Sequence, residues 1–362
     1  MKACHRTLLA GIGLLSVVSL SSGCKADFDA ADYTFACDPS RPSDCAEGFE
    51  CVYVPSQGTE LCVEGGASFD AGSDATSVPD VLSDTADGSQ DGCDASSCAT
   101  RYQQVVSAEA HSCGLELDGT VECWGWPGEG RTAAPDGTFT KIAAGEDHTC
   151  GITTEQHIEC WGKSSEEGRT EGQEGPFVDL AVGTHHNCAL RPGGSVFCWG
   201  ANSFGESTPP DATFEQISAG SAHTCGIDTD GSISCWGFDS DDATNAPSGA
   251  FKQVSVGDGV TERTSCAVAM NGDVTCWGTN GYRQADARPG PFRQVSVGVK
   301  HTCGVRTDGS IDCWGANPFG QLGPVQGVFV QVSAGESHTC AVAEDDSVKC
   351  WGYSEDGRLD AP

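Results

Sequence analysis

The tripeptide Cys-Trp-Gly occurs seven times, with its cysteine at 123, 160, 198, 235, 276, 313 and 350. The spacings are 37, 38, 37, 41, 37 and 37 residues. A second cysteine stands ten residues before each, at 113, 150, 188, 225, 266, 303 and 340. Eleven residues before that comes an aromatic: Tyr102, Phe139, Phe177, Phe214, Phe292 and Phe329. In the fifth repeat Phe251 stands fifteen residues before Cys266. Several fixed positions recurring in phase at this period restrict the chain to a solenoid or a propeller.

Local chemistry selects β. Phe251-Lys252-Gln253-Val254-Ser255-Val256 is short, rich in β-branched residues, and runs into a glycine. Between the paired cysteines the sequence carries a hairpin signal, as in Cys225-Gly226-Ile227-Asp228-Thr229-Asp230-Gly231-Ser232-Ile233-Ser234-Cys235. A three-residue loop Thr229-Asp230-Gly231 puts Gly231 at the left-handed position of a type I turn with a bulge. That register sets Cys225 directly opposite Cys235, within disulfide reach. The equivalent position is Gly119, Gly194, Gly272 and Gly309 in four other repeats, but Gln156 and Asp346 in the second and seventh. A fourth short segment closes each repeat, as in Gly130-Arg131-Thr132-Ala133-Ala134-Pro135. Four short strands per repeat without helical periodicity predict an all-β, seven-bladed propeller over 102–362. The chain reaches Asp360-Ala361-Pro362 just short of an eighth repeat, so seven blades are expected to make the whole ring.

Val332-Ser333-Ala334-Gly335-Glu336-Ser337-His338-Thr339 and Trp314-Gly315-Ala316-Asn317-Pro318-Phe319-Gly320-Gln321-Leu322-Gly323 resemble the repeat of the regulator of chromosome condensation family. The short period is similar to that of its secreted bacterial form, the propeller-type β-lactamase inhibitor. The resemblance implies a seven-bladed propeller that holds a protein partner through loops on its faces. It also brings two family activities, inhibition of a secreted enzyme and guanine-nucleotide exchange on chromatin. The second fits poorly with a secreted, acidic chain that has no large insertion.

The compartment decides how 22 cysteines are read. Met1 to Arg6 is short and basic, Leu8 to Leu20 is apolar, and Ser21-Ser22-Gly23 precede Cys24. Residues 1–23 therefore read as an export signal. Leu20-Ser21-Ser22-Gly23-Cys24 also resembles a bacterial lipoprotein signal, which implies lipidation of Cys24. The family's usual leucine three residues before the cysteine is Ser21 here, with Leu20 one further back. Cleavage after Gly23 without lipidation is the alternative. From Cys24 onward there are 21 cysteines, and lipidation leaves 20 that can all pair. An oxidising compartment favours disulfides over zinc for the repeat cysteines. Seven hairpin staples are expected: Cys113–Cys123, Cys150–Cys160, Cys188–Cys198, Cys225–Cys235, Cys266–Cys276, Cys303–Cys313 and Cys340–Cys350.

Residues 24–36 read as a lipidated tether. Residues 37–62 form a small segment held by Cys37, Cys45, Cys51 and Cys62 in a pairing left open. Residues 63–101 are an acidic linker rich in Gly, Ser and Asp, and no Lys or Arg occurs from Pro42 through Thr100. The whole chain carries 52 acidic and 19 basic side chains, which excludes nucleic acid as the natural partner. It also excludes an anionic membrane surface, so membrane contact is expected only through the anchor.

Six histidines stand two residues before the first repeat cysteine: His111, His148, His186, His223, His301 and His338. Spread around a ring they cannot converge on one metal, and each is expected to bond backbone within its own blade. Seven of the eight tryptophans are repeat positions, where blade packing is the default. Trp126 is the exception, two residues past the repeat tryptophan, where Phe238 and Tyr353 occupy the same phase. Ring closure would place Trp126 and Tyr353 on one rim as candidate partner contacts, against the plainer reading of local packing. The fifth repeat carries four extra residues around Gly257-Asp258-Gly259-Val260-Thr261-Glu262-Arg263 and has Thr264 in place of the histidine. Asp258, Glu262 and Arg263 are therefore candidate binding residues, with neutral drift as the alternative. Asp239, Asp241 and Asp242 do not match a known calcium loop. No nucleophile elbow, zinc-protease helix or phosphate loop is found. The expected function is a lipid-anchored cell-envelope or cell-surface module that binds a protein, with no cofactor and no catalysis. A carbohydrate-binding or structural envelope role is the alternative.

Overall fold

The computed structural model describes residues 100–164 and 167–362, together with four strands nearer the N-terminus. The chain divides into two units, Met1–Gln90 and Asp91–Pro362. In the first, strands Lys25–Asp29, Asp32–Ala36, Phe49–Val54 and Thr59–Glu64 form one antiparallel sheet in the order first, second, fourth, third. The register sets Cys51 opposite Cys62. Cys24, the export signal, the linker and the cysteine pairing expected within 37–62 lie outside the described residues.

The second unit is seven three-stranded antiparallel sheets in sequence order. In blade four the strands are Phe214–Ala219, His223–Asp228 and Ile233–Gly237, with the middle strand in the centre of the sheet. The middle strands are buried almost throughout, because each is covered by neighbouring blades on both faces. Six of the seven first strands carry a bulge after the leading aromatic. In blade five it lies between Phe251 and Gln253, and lets Phe251 and Val254, three apart in sequence, both turn into the core.

The expected fourth strand does not form. The closing segments are turns and irregular backbone, with isolated bridges Ile158–Gln173 and Val274–Arg288 as the remnants of pairing. Their Gly, Asp and Pro residues supply neither a β-branched run nor a continuous row of N–H donors.

Seven equivalent apolar clusters lie between blades rather than within them. Cys188 and Leu190 of blade three, for example, pack against Phe214, Ile217 and Trp236 of blade four. The seam between blades seven and one has the same composition, with Cys340 and Val342 against Tyr102, Val105 and Trp124. Two polar devices repeat alongside. The carbonyl of each hairpin's left-handed residue accepts from the N–H of the next blade's leading aromatic, as Gly194 O does from Phe214 N at 2.8 Å. Asp346 O closes the ring by accepting from Tyr102 N at 2.8 Å. Glutamines on the first strands clasp the next blade's backbone with both amide atoms. Gln331 Nε2 donates to Val105 O at 2.7 Å, and Gln331 Oε1 accepts from Val105 N at 2.8 Å. Blades two and three have Lys141 and Asp179 at this position, and the two form an ion pair.

The hairpins are three-residue loops. Gly231 has φ +84°, its N–H donates to Asp228 O at 2.9 Å, and Asp228 N donates to Ser232 O at 3.0 Å. Gln156 and Asp346 take the same left-handed backbone at φ 67° and 65°, so the turn persists without glycine. In every blade the two repeat cysteines face each other across the hairpin and are joined by a disulfide, with Cα atoms 4.0–4.1 Å apart. Each such short closure is worth about 2–3 kcal/mol in a chain-entropy account.

Candidate binding face

The histidines do not bond backbone within their own blades. Each Nε2 reaches a side chain of the next blade: His301 meets Thr339 Oγ1 at 2.8 Å, His148 meets Asn187 Oδ1 at 2.8 Å, and His338 meets Ser112 Oγ at 2.7 Å. The apposed middle strands bring the residue two before the cysteine against the residue one before the neighbour's cysteine. Thr339 Oγ1 donates its own proton to Gln321 O at 3.0 Å, so His301 Nε2 must carry the hydrogen toward Thr339. The Nδ1 atoms of all six are buried without a partner. Burial holds His301 down to about 4 and His111 to about 3, so the rings are neutral at pH 7. These residues are seam bolts between blades. Thr264 in blade five bonds Thr279 O instead.

The two ends of the propeller differ. One carries the hairpin tips. The other carries the turns from first to second strand and the loops after the third strand, and here side chains form three zones.

The outer zone is aromatic. Phe204, Tyr282 and Phe319 stand five residues past the repeat tryptophans and are 54%, 44% and 49% exposed. Trp126, two residues past its tryptophan, is 41% exposed. The two phases meet across blade seams: Phe204 packs on Phe238 with centroids 4.4 Å apart, and Phe319 on Tyr353 at 4.8 Å. The middle zone is a set of largely buried arginines capped by these rings. Arg131 lies 4.4 Å from the Trp126 ring centre, Arg263 4.4 Å from Phe238, and Arg358 4.9 Å from Tyr353. Trp126 and Tyr353 thus lie on the same face, each stacked on its own arginine. Local packing and exposure coexist in these residues.

The inner zone is acidic and surrounds the mouth of a channel lined by the first strands of all seven blades. Glu109, Glu146 and Glu336 project from the first turns of blades one, two and seven. Asp147 is bound by Arg131, by Lys163 at 3.3 Å and by Arg169 at 3.6 Å. Burial and mutual repulsion push Glu109 and Glu146 above the usual carboxylate range. The fifth-repeat insertion folds inward over this mouth. Asp258 O accepts from Thr184 Oγ1 at 3.2 Å, and Gly259 O from Ser221 Oγ at 3.0 Å. Asp258 therefore faces the channel mouth. Arg263 is held by Ser240 Oγ at 3.0 Å beneath Phe238, and Glu262 lines the mouth cavity.

Sequence reasoning singled out Trp126, Phe238 and Tyr353 but missed Phe204, Tyr282 and Phe319. Their common phase five residues past the tryptophan was the available signal. The glutamates following the first strand in blades one, two and seven were missed because a single acidic residue in a turn is unremarkable until the ring brings three together. Asp239 and Asp242 serve their own loop, Asp239 accepting from Thr244 N at 3.1 Å and Asp242 from Asn245 Nδ2 at 2.8 Å, while Asp241 accepts from Thr279 Oγ1 of blade five at 3.5 Å.

Residues 139–169, 177–206, 214–242, 292–321 and 329–358 match the regulator of chromosome condensation (RCC1) repeat. These are blades two, three, four, six and seven. Among solved structures, the ectodomain of the receptor kinase CR4 from Physcomitrella patens is 23% identical, with a TM-score of 0.59 over 70% of this chain and 74% of that one. The CRINKLY WD40 ectodomain of the receptor kinase ACR4 from Arabidopsis thaliana is 24% identical, with a TM-score of 0.56 over 70% and 98%. At these identities the likeness is one of fold. No curated protein matches the sequence.

Proposed function

Since the chain belongs to the regulator of chromosome condensation repeat family, we propose that its propeller is a protein-binding module that engages its partner through the aromatic and acidic face. The observation that carries this is the rim of exposed rings set on rigid, disulfide-stapled blades. An exposed aromatic held at a fixed place loses little freedom on binding and supplies most of an interface's energy. The acidic centre complements a partner with a basic projection and disfavours an acidic one. The reading assigns no catalytic step.

The proposal extends to location. The export signal and Cys24 support a lipid-anchored envelope protein, with residues 63–101 as a flexible tether that lets the head sample a volume around the membrane. Inhibition of a secreted enzyme would use the same face.

The test is capture and identification of envelope and secreted proteins on the disulfide-intact chain. It runs beside a Phe204→Ala/Phe319→Ala variant and a Met270→Ala control at an exposed hairpin tip. An identified protein held by the native chain and the control, but weakened at least tenfold by the double variant, supports the reading. Equal retention by all three removes this face as the site. Retention of glycans alone would turn the assignment to carbohydrate.

A further inference from the structure

We propose that, within the protein-binding reading on which it rests, the corner of the face at the seam of blades five and six is a subsite for a carboxylate of an acidic segment on the partner. The corner is built from Tyr282, Arg283 and Lys300. Three blades carry one outer loop: Asn202-Ser203-Phe204-Gly205-Glu206, Asn280-Gly281-Tyr282-Arg283-Gln284 and Asn317-Pro318-Phe319-Gly320-Gln321. In each, the asparagine Oδ1 accepts from the N–H five residues on, at 3.1, 2.9 and 3.1 Å. The Glu or Gln side chain accepts from the N–H of the aromatic, at 2.7, 2.9 and 3.0 Å. The residue after the aromatic is left-handed in all three. Gly205 and Gly320 stand there at φ 84° and 81°, whereas blade five has Arg283 at φ 67°. A residue with a Cβ takes that backbone at a cost that glycine avoids. The loop thus forms without an arginine in two blades, and a strained arginine that the turn does not need points to a use outside the fold.

Charge gives an independent reason. Arg283 Nε donates to Asp286 Oδ2 at 3.0 Å, yet the arginine side chain is 84% exposed. An exposed pair of this kind is weak, so the guanidinium is free to meet a second carboxylate. Lys300 stands in the first turn of blade six, where Ala316 N donates to its carbonyl at 2.9 Å. Its ammonium lies 5.5 Å from the centre of the Tyr282 ring and makes no ion pair among the described residues. Residues 251–323 hold seven basic and six acidic side chains, against seven and thirty in the rest of the propeller. This sector is therefore where an acidic head does not repel a carboxylate. A guanidinium fork and an ammonium are the donors such a group takes, and the half-exposed tyrosine supplies apolar surface beside them. The contact also orients the partner, with its acidic group over blades five and six and its basic one toward the glutamates of blades seven, one and two.

The experiment titrates dye-labelled hexaglutamate with the full disulfide-intact chain, read by fluorescence anisotropy at physiological ionic strength, where distant charges are screened. The corner predicts saturable binding. Arg283→Gly and Lys300→Ala should each weaken it at least fivefold. Arg283→Gly restores the loop of the sibling blades, so its Tm should stay level or rise, whereas an arginine that only braced the loop would lower Tm when removed. Lys252→Ala, at the hairpin-tip end of blade five, should leave binding unchanged. Absence of saturable binding, survival of binding in both corner variants, or equal loss in Lys252→Ala would overturn the subsite. Saturable binding of hexagalacturonate without hexaglutamate would also overturn it, in favour of an acidic polysaccharide. An identified partner captured equally by the native chain and by Arg283→Gly overturns the corner alone. Capture of nothing, with hexaglutamate still held at the corner, overturns the protein-binding reading alone.

Discussion

Acid should unlock the seams between blades, and His301 shows by how much. Its ring is fully buried, and burial alone lowers it from 6.5 to about 4. Below pH 6.5 the unfolded chain takes a proton at this position that the folded chain refuses. The unfolded state then binds more protons, so stability falls as pH falls, and the loss levels off near pH 4. From pH 7 to pH 5 the difference is about 1.5 pH units below the unfolded value, or about 2 kcal/mol for one histidine. Five others are held at about 3 to 4 for the same reason. Together they could remove on the order of 10 kcal/mol, comparable to the whole stability of a typical domain. Raised carboxylates such as Glu109 and Glu146 act with the opposite sign, since the folded chain keeps their protons longer. A difference measurement cancels them. Denaturant unfolding of the disulfide-intact chain and of His301→Gln is compared at pH 7, 6 and 5. The native chain should lose about 2 kcal/mol more than the variant over that range. A flat difference curve would refute the reasoning, because it would mean that the ring is charged in the fold or that the seam opens without cost.

Further outcomes are open to direct measurement. Gln331→Ala leaves Val105 N–H and C=O without their clasp at the closing seam and should cost about 2–3 kcal/mol, read by chemical denaturation. Gln156→Gly relieves a left-handed backbone at φ 67° and should raise stability by up to about 1 kcal/mol in the same assay. Replacing both Cys303 and Cys313 with alanine should lower stability by about 2–3 kcal/mol while circular dichroism keeps its β signature. Cys24→Ser should abolish incorporation of labelled fatty acid into the chain, whereas unchanged labelling would remove the anchor from the proposal.

What the sequence made legible was whatever is local. A separation of ten positions between cysteines, with Gly231 one past the midpoint, defines the hairpin register from sterics alone, because few residues tolerate φ near +84°. The seven clusters between blades follow from the phase of the aromatics and tryptophans. What stayed hidden depends on neighbours supplied by the ring. His338 meets Ser112 from a position 226 residues away, and no spacing rule states which atom will face an imidazole. The insertion at Asp258 was visible as a length anomaly. Its inward course depends on Thr184 and Ser221 hydroxyls from two other blades. The closing segments were read as strands from repetition, although their Gly and Pro content already argued against a ladder.

The confinement of every propeller disulfide to its own hairpin has a consequence for assembly. Fourteen cysteines in seven near-identical settings could pair in roughly 10⁵ ways, by the same counting that gives 105 for eight. Each correct partner is ten residues away and is brought opposite by a turn that forms on its own. Short loops close far more readily than long ones. Oxidation therefore reduces to seven independent local choices, none of which requires the chain to know which blade it is in. Such a propeller can secure its blades one at a time as each hairpin forms, and leave only the joining of the ring to be decided afterwards.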